Sequence, residues 1–184
     1  MKQRIRAVAR TWDMNGETLP RASGPPLAAL YREHRLGLVR LAVLLVGDPE
    51  SAEDIVQDVF SRLHGKSVEA PPLAYVRTCV LNASRSVLRR RGVAARWAAL
   101  VSGSSGGEAE DSAETVALLG ESRQEMLTAL ARLPRRQREM LVLRYYLDLS
   151  DTDIAAVTGV RPSTVRSTVA RALDRLQSEL GGTA

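Results

Sequence analysis

From Leu27 onward, apolar or half-apolar side chains return every three or four residues: Leu30, Tyr31, His34, Leu38, Leu41 and Leu45. That interval matches one face of an α-helix, so the stretch predicts an amphipathic helix with a buried stripe. Gly47 ends it, and "GDPESAEDIVQDVFSRL" starts another at once, with Asp48 placed to cap and Pro49 at the first helical position. In this second helix Ile55, Val56, Val59, Phe60 and Leu63 form the inward face, which leaves Glu53, Asp54, Gln57 and Asp58 outside. A turn around "HGKSVEAPP" leads to a third helix, where Leu73, Val76, Val80, Ala83 and Val87 line one side.

The last third of the chain is patterned the same way. Met126, Leu127, Leu130 and Leu133 predict one helix, and Pro134 opens the next, "PRRQREMLVLRYYLDL". In the stretch that follows, "LSDTDIAAVTGVRPSTVRSTVARALDRL", Asp151 starts a short helix, Ala155 is small where two helices cross, Gly159 supplies the turn and Pro162 starts a second helix. Val165 and Val169 point inward from that second helix. The interval of four from Ala155 to Gly159 and of six from Gly159 to Val165 fits a helix-turn-helix. Arg161, Ser163, Thr164, Arg166, Ser167 and, one turn on, Arg171 then lie on the exposed side, where hydroxyls and guanidinium groups reach base edges and phosphates. The same pattern also fits a plain helical hairpin with a solvated arginine face. Strand patterns and internal repeats are lacking, so the expected fold is all-α, with two helical domains.

Charge divides the chain into blocks. Residues 1–26 carry Arg4, Arg6, Arg10 and Arg21, one Lys and a turn-rich "LPRASGPP" end, and read as a mobile basic arm or a misassigned start. Between Ala70 and Gly107 there is no carboxylate, while Arg77, Arg85, Arg89, Arg90, Arg91 and Arg96 all fall inside. From Trp97 to Ser122 the sign reverses: no basic residue, but Glu108, Glu110, Asp111, Glu114 and Glu121 around a "SGSSGG" run that predicts a flexible linker. The expected division is therefore 1–26, 27–96, 97–122 and 123–184, and the end at Ala184, just past the last helix, predicts no further C-terminal domain.

Composition adds direction. With 184 residues and 45% apolar content each domain can bury a core. A net charge of +5 and a pI near 10.0 favour a polyanionic partner. Of 26 basic residues all but Lys2 and Lys66 are Arg, which suits phosphate and guanine edges, although a GC-rich coding sequence enriches Arg as well. Cys79 is the only cysteine, which excludes an internal disulfide and a cysteine-held zinc; its apolar neighbours mark it as a buried small residue. No apolar run is long enough to span a membrane and "MKQRIRAVAR" has no secretory core, so a reducing cytoplasm is the expected setting.

Enzyme signatures are missing. "HGKS" lacks the upstream glycine and strand of a phosphate loop, and there is no HExxH, no GxSxG and no Cys/His pair in a plausible context. His34 and His64 fall outside ligand-type spacing from the carboxylates at 53–58, so no metal and no cofactor are expected.

In this order, three segments resemble the extracytoplasmic-function (ECF) sigma factors of bacterial RNA polymerase. "GDPESAEDIVQDVF" is similar to that family's region 2.2, "PPLAYVRTCVLNASRSVLRRR" to regions 2.3 and 2.4, and "LARLPRRQREMLVLRYYLDLSDTDIAAVTGVRPSTVRSTVARALDRL" to region 4. The resemblance covers about Leu27 to Leu180. It implies two helical domains on a flexible linker, both bound to core polymerase through its β and β′ subunits, and no catalytic activity of the chain's own. It places Glu53, Asp54, Gln57 and Asp58 against the polymerase clamp helices. Asn82 and the turn before Tyr75 would lie near a captured base of the −10 element, with Arg77, Arg85, Arg89 and Arg90 on phosphates. Residues Arg161, Ser163, Thr164, Arg166, Ser167 and Arg171 would face the −35 element in the major groove. Thr168 departs from the basic or amide residue that often follows "TV(K/R)S" in relatives, so a borrowed promoter sequence does not transfer. The resemblance also implies a separate anti-sigma partner and an acidic linker that threads toward the polymerase cleft. Two other readings stay open on residues alone: a stand-alone helix-turn-helix regulator, and a sigma-like decoy that holds a regulator without starting transcription.

Overall fold

The computed structural model describes residues 25–66, 70–102 and 121–181, with backbone alone for 96–102 and 121–123. All regular structure among the described residues is helical. The basic arm lies outside them except for its last two residues, as do residues 103–120 of the expected linker.

Helix α1, Leu27–Val46, follows Pro26 and buries Leu30, Leu38, Leu41, Ala42, Leu45 and Val46. It ends at Gly47, whose φ of 87° is left-handed and whose N–H reaches Val43 O at 2.8 Å, a closure that a residue with a Cβ resists. Helix α2, Pro49–Gly65, starts as its sequence predicts: Asp48 Oδ1 accepts the Ser51 N–H at 3.0 Å. Its inward face is Ala52, Ile55, Val56, Val59, Phe60 and Leu63, and the Phe60 ring meets Tyr31 of α1 edge-on with centroids 5.0 Å apart. Such edge-to-face pairs add about 0.5–1.5 kcal/mol to area burial.

Helix α3, Leu73–Ser102, is longer than the expected domain, continuing into the segment read as linker. Its buried face is Val76, Val80, Leu81 and Ser84, with Leu73, Ala83 and Val87 half-buried at its margins. The face is therefore rotated from the stripe that the sequence suggests, and Ser84 is tolerated in it because its hydroxyl donates to Val80 O at 2.9 Å.

In the last third, α4 spans Glu121–Arg132 and α5 spans Arg135–Leu141. Helix α5 runs on into a π turn, Val142–Tyr146, closed by the Leu147 N–H to Val142 O at 3.2 Å. The extra residue of that wider turn carries Tyr145 and Tyr146 away from the buried side. Helices α6, Asp151–Thr158, and α7, Pro162–Gly181, form the helix-turn-helix. Helix α6 starts at Asp151 as expected, with Ser150 as its N-cap accepting from the Asp153 N–H at 3.2 Å. Gly159, at φ 69°, turns the chain.

One apolar cluster runs through both parts: Leu38, Leu41 and Leu45 belong to it together with Leu130, Leu133, Met140 and Leu141. Helix α1 makes that continuity, touching α2 and α3 on one side and α4, α5 and the π turn on the other.

Candidate nucleic-acid interface

Three surfaces carry the residues singled out by the sequence. On α2, Glu53, Asp54, Gln57 and Asp58 are all exposed, because the apolar stripe of the same helix takes the opposite side. Glu53 receives Arg35 at 3.0 Å and Asp58 receives Arg62 Nε at 3.0 Å. Asp54 and Gln57 make no side-chain hydrogen bond or ion pair with the described residues.

Helix α3 separates its candidates. Tyr75, Asn82, Arg85 and Arg89 recur at intervals of three, four and seven and share one stripe, with Arg90 beside it. Arg77 is half-buried and rises from the side that carries Val80, Leu81 and Ser84, so the structure does not bring it together with the others. Arg89 and Arg90 are exposed. Arg85 is engaged: its guanidinium donates to Glu139 through Nε at 2.8 Å and through Nη2, and to Asn82 Oδ1 at 3.0 Å. Arg91, from the same basic block, has a structural place, donating to Asp48 at 2.6 Å and Val46 O at 3.3 Å across the start of α2. Burial alone would raise the Asp48 pKa, but hydrogen bonds from Arg91 and Ser51 and the Arg91 charge outweigh it and hold the carboxyl below its usual 3.8. Tyr75 is half-buried beside Cys79, and burial raises both pKa values, the thiol to about 11. Cys79 is thus protonated at neutral pH and, as its neighbours suggest, behaves as a small apolar residue.

The helix-turn-helix sorts its residues cleanly. Arg161, Ser163, Thr164, Arg166, Ser167 and Arg171 are all exposed, while Val165, Thr168, Val169 and Ala172 are buried. Thr168 therefore faces the core and not the exposed side. Ser167 Oγ donates to Thr164 O at 3.2 Å and Arg171 Nε to Ser167 O at 3.1 Å, while Arg161 and Arg166 are exposed. Asp151, at the start of α6, binds Arg144 and lies 4.0 Å from Arg166 Nε, so a carboxylate sits between the π turn and the outer helix. Sequence reasoning missed the roles of Glu139, Arg144 and Arg91, whose partners lie on other elements and follow no local period.

With this geometry in view, comparison with known proteins is specific. The family model described as Sigma-70 region 2 matches residues 30–94, and the one described as Sigma-70, region 4 matches residues 123–176. SigI of Mycobacterium tuberculosis, an ECF RNA polymerase sigma factor by name, is 36% identical over 154 residues, which is 80% of this chain but 53% of SigI, so the chain spans about half of that relative's length. The RNA polymerase sigma-E factor of Streptomyces coelicolor is 31% identical over 153 residues, 81% of this chain and 82% of that protein. Among solved structures, the sigma factor RpoE of Bartonella quintana, crystallised with the anti-sigma factor NepR, superposes with a TM-score of 0.61 at 27% identity, covering 83% of this chain and 97% of that one.

Proposed function

The chain belongs to the ECF sigma factors of bacterial RNA polymerase, and from that premise we propose that it binds core polymerase and directs it to promoters that it selects itself. The observation that carries the proposal is the sorting of α7: Ser163, Thr164, Arg166, Ser167 and Arg171 in solvent on one side, with Arg161 exposed just before the helix, and Val165, Thr168, Val169 and Ala172 in the core on the other. Such a helix enters a major groove without disturbing its own packing. Its exposed residues read the −35 element, with Arg161 and Arg166 on base edges or phosphates.

The α3 stripe takes the −10 element: Tyr75 and Asn82 at a base drawn out of the stack, Arg85, Arg89 and Arg90 along the single strand. Arg77, being half-buried on the other side, contributes less than the rest. Asp54 and Gln57, with Glu53 and Asp58 beside them, dock on the β′ clamp. The chain has no catalysis of its own and acts in the cytoplasm; among the described residues no helix is long and apolar enough to cross a membrane. A separate anti-sigma protein holds it inactive, as NepR is bound to the Bartonella factor.

Gel filtration with core polymerase tests the docking face. Asp54→Arg reverses the charge where the exposed carboxylate now stands and lowers core affinity by about tenfold or more, with the helical circular-dichroism signal retained. Unchanged affinity in a folded variant removes α2 from the interface.

A further inference from the structure

Charged side chains of α5 reach the α3 stripe and the end of α1, and the seam between them is built from these groups. Glu139 accepts from Arg85 Nε and Nη2, Arg135 Nη2 donates to the Arg85 carbonyl at 2.6 Å, and Arg138 Nη1 donates to Leu45 O at 3.0 Å. At the far end Tyr146 Oη donates to Gly37 O at 2.8 Å. Both Arg85 donors meet a single anionic oxygen, Glu139 Oε1, as they could meet a phosphate oxygen. The Glu139 side chain is 13% exposed and that of Arg85 28%, so neither is available to another molecule while the two are joined.

We propose that Glu139 occupies the DNA-phosphate site of Arg85 in the free chain, making the first helices of the C-terminal part an intramolecular competitor for −10 DNA. This rests on the assignment of Arg85 to DNA given above. Asn82 is drawn into the same lock, since its Oδ1 holds the third donor of Arg85. The seam is imperfectly closed: Leu45, Leu81 and Leu88 border a gap beside the ion pair, and Arg138 Nε and Gln137 Oε1 are buried without a hydrogen-bond partner among the described residues. Core polymerase, by binding the two parts at separate places, would release Arg85, so that strong single-strand binding appears only in the complex. The apparent affinity of a masked site is its intrinsic affinity multiplied by the fraction of molecules open.

The test uses the full chain and a fluorescent single-stranded oligonucleotide of mixed sequence at low salt. Glu139→Gln keeps the shape and removes the charge, and is expected to tighten binding by about threefold or more. Arg85→Gln is expected to weaken it, and Glu139→Gln is expected to give no gain when added to Arg85→Gln. Glu125→Gln, an exposed carboxylate on α4, measures what loss of any negative charge does. Spin labels at Ser61 and Ser178 in a Cys79→Ala background report opening without DNA, and Glu139→Gln should lengthen or broaden that distance. No gain from Glu139→Gln, or an equal gain from Glu125→Gln or in the Arg85→Gln background, overturns the proposal. Should Arg85→Gln bind DNA like the parent while Glu139→Gln still opens the seam, masking is overturned as well, and the fault lies in assigning Arg85 to DNA.

Discussion

At Arg166 the guanidinium is 70% exposed, with a single carboxylate, that of Asp151, at 4.0 Å. A pair at that distance and exposure contributes little to stability, so the side chain is held loosely and can turn to a base. Replacing it by Ala should leave the fold intact and reduce discrimination at the contacted position by about 1–3 kcal/mol per lost bidentate contact. A scan of single substitutions through the −35 element measures this, and an unchanged preference contradicts it. Residues on α2 and α7 were legible in the sequence because helical period alone fixes which side is left when the apolar stripe is buried. Arg85 and Arg77 were not: the partner of Arg85 is Glu139, 54 residues away. Arg77 in turn depends on the rotation of α3, which Leu81 and Ser84 set by packing into the core.

Among the elements, α2 has the most explicit start. Asp48 caps it through the Ser51 N–H and also receives Arg91 from α3, so one carboxylate ties two helices. Asp48→Ala should cost about 1 kcal/mol at neutral pH, the usual range for a lost cap being about 0.5–2 kcal/mol, read by urea unfolding. Because the folded pKa lies below the unfolded one, this contribution is complete above about pH 4 and is lost as pH falls through the folded value. The gap between parent and variant should therefore narrow in acid. A gap that stays constant there places the effect on helix propensity instead. Punctuation made most boundaries readable: Gly47, Pro49, Gly159 and Pro162 stand where the structure begins or ends helices. The π turn after α5 was not readable, since "MLVLRYYL" is apolar or aromatic almost throughout and one added residue changes no period that the sequence displays.

For the whole molecule, the two parts that sequence reasoning separated share an apolar cluster through α1. Composition predicts the separation from the acidic, glycine-rich segment between them, but composition is silent on whether two folded parts meet. In the closed form Arg85 faces Glu139 while α7 stays open and Asp54 and Gln57 remain exposed. On the proposed masking of Arg85, such a chain would bind core polymerase before it could hold a melted promoter. The most direct test of the central claim is in vitro transcription on fragments of the source genome, with core polymerase from the same organism, in the presence and absence of this protein. New transcripts starting at defined positions are expected only when the protein is added, with matching elements upstream of each start. Stable binding to core without any new start would contradict it and identify a protein that occupies polymerase without directing it.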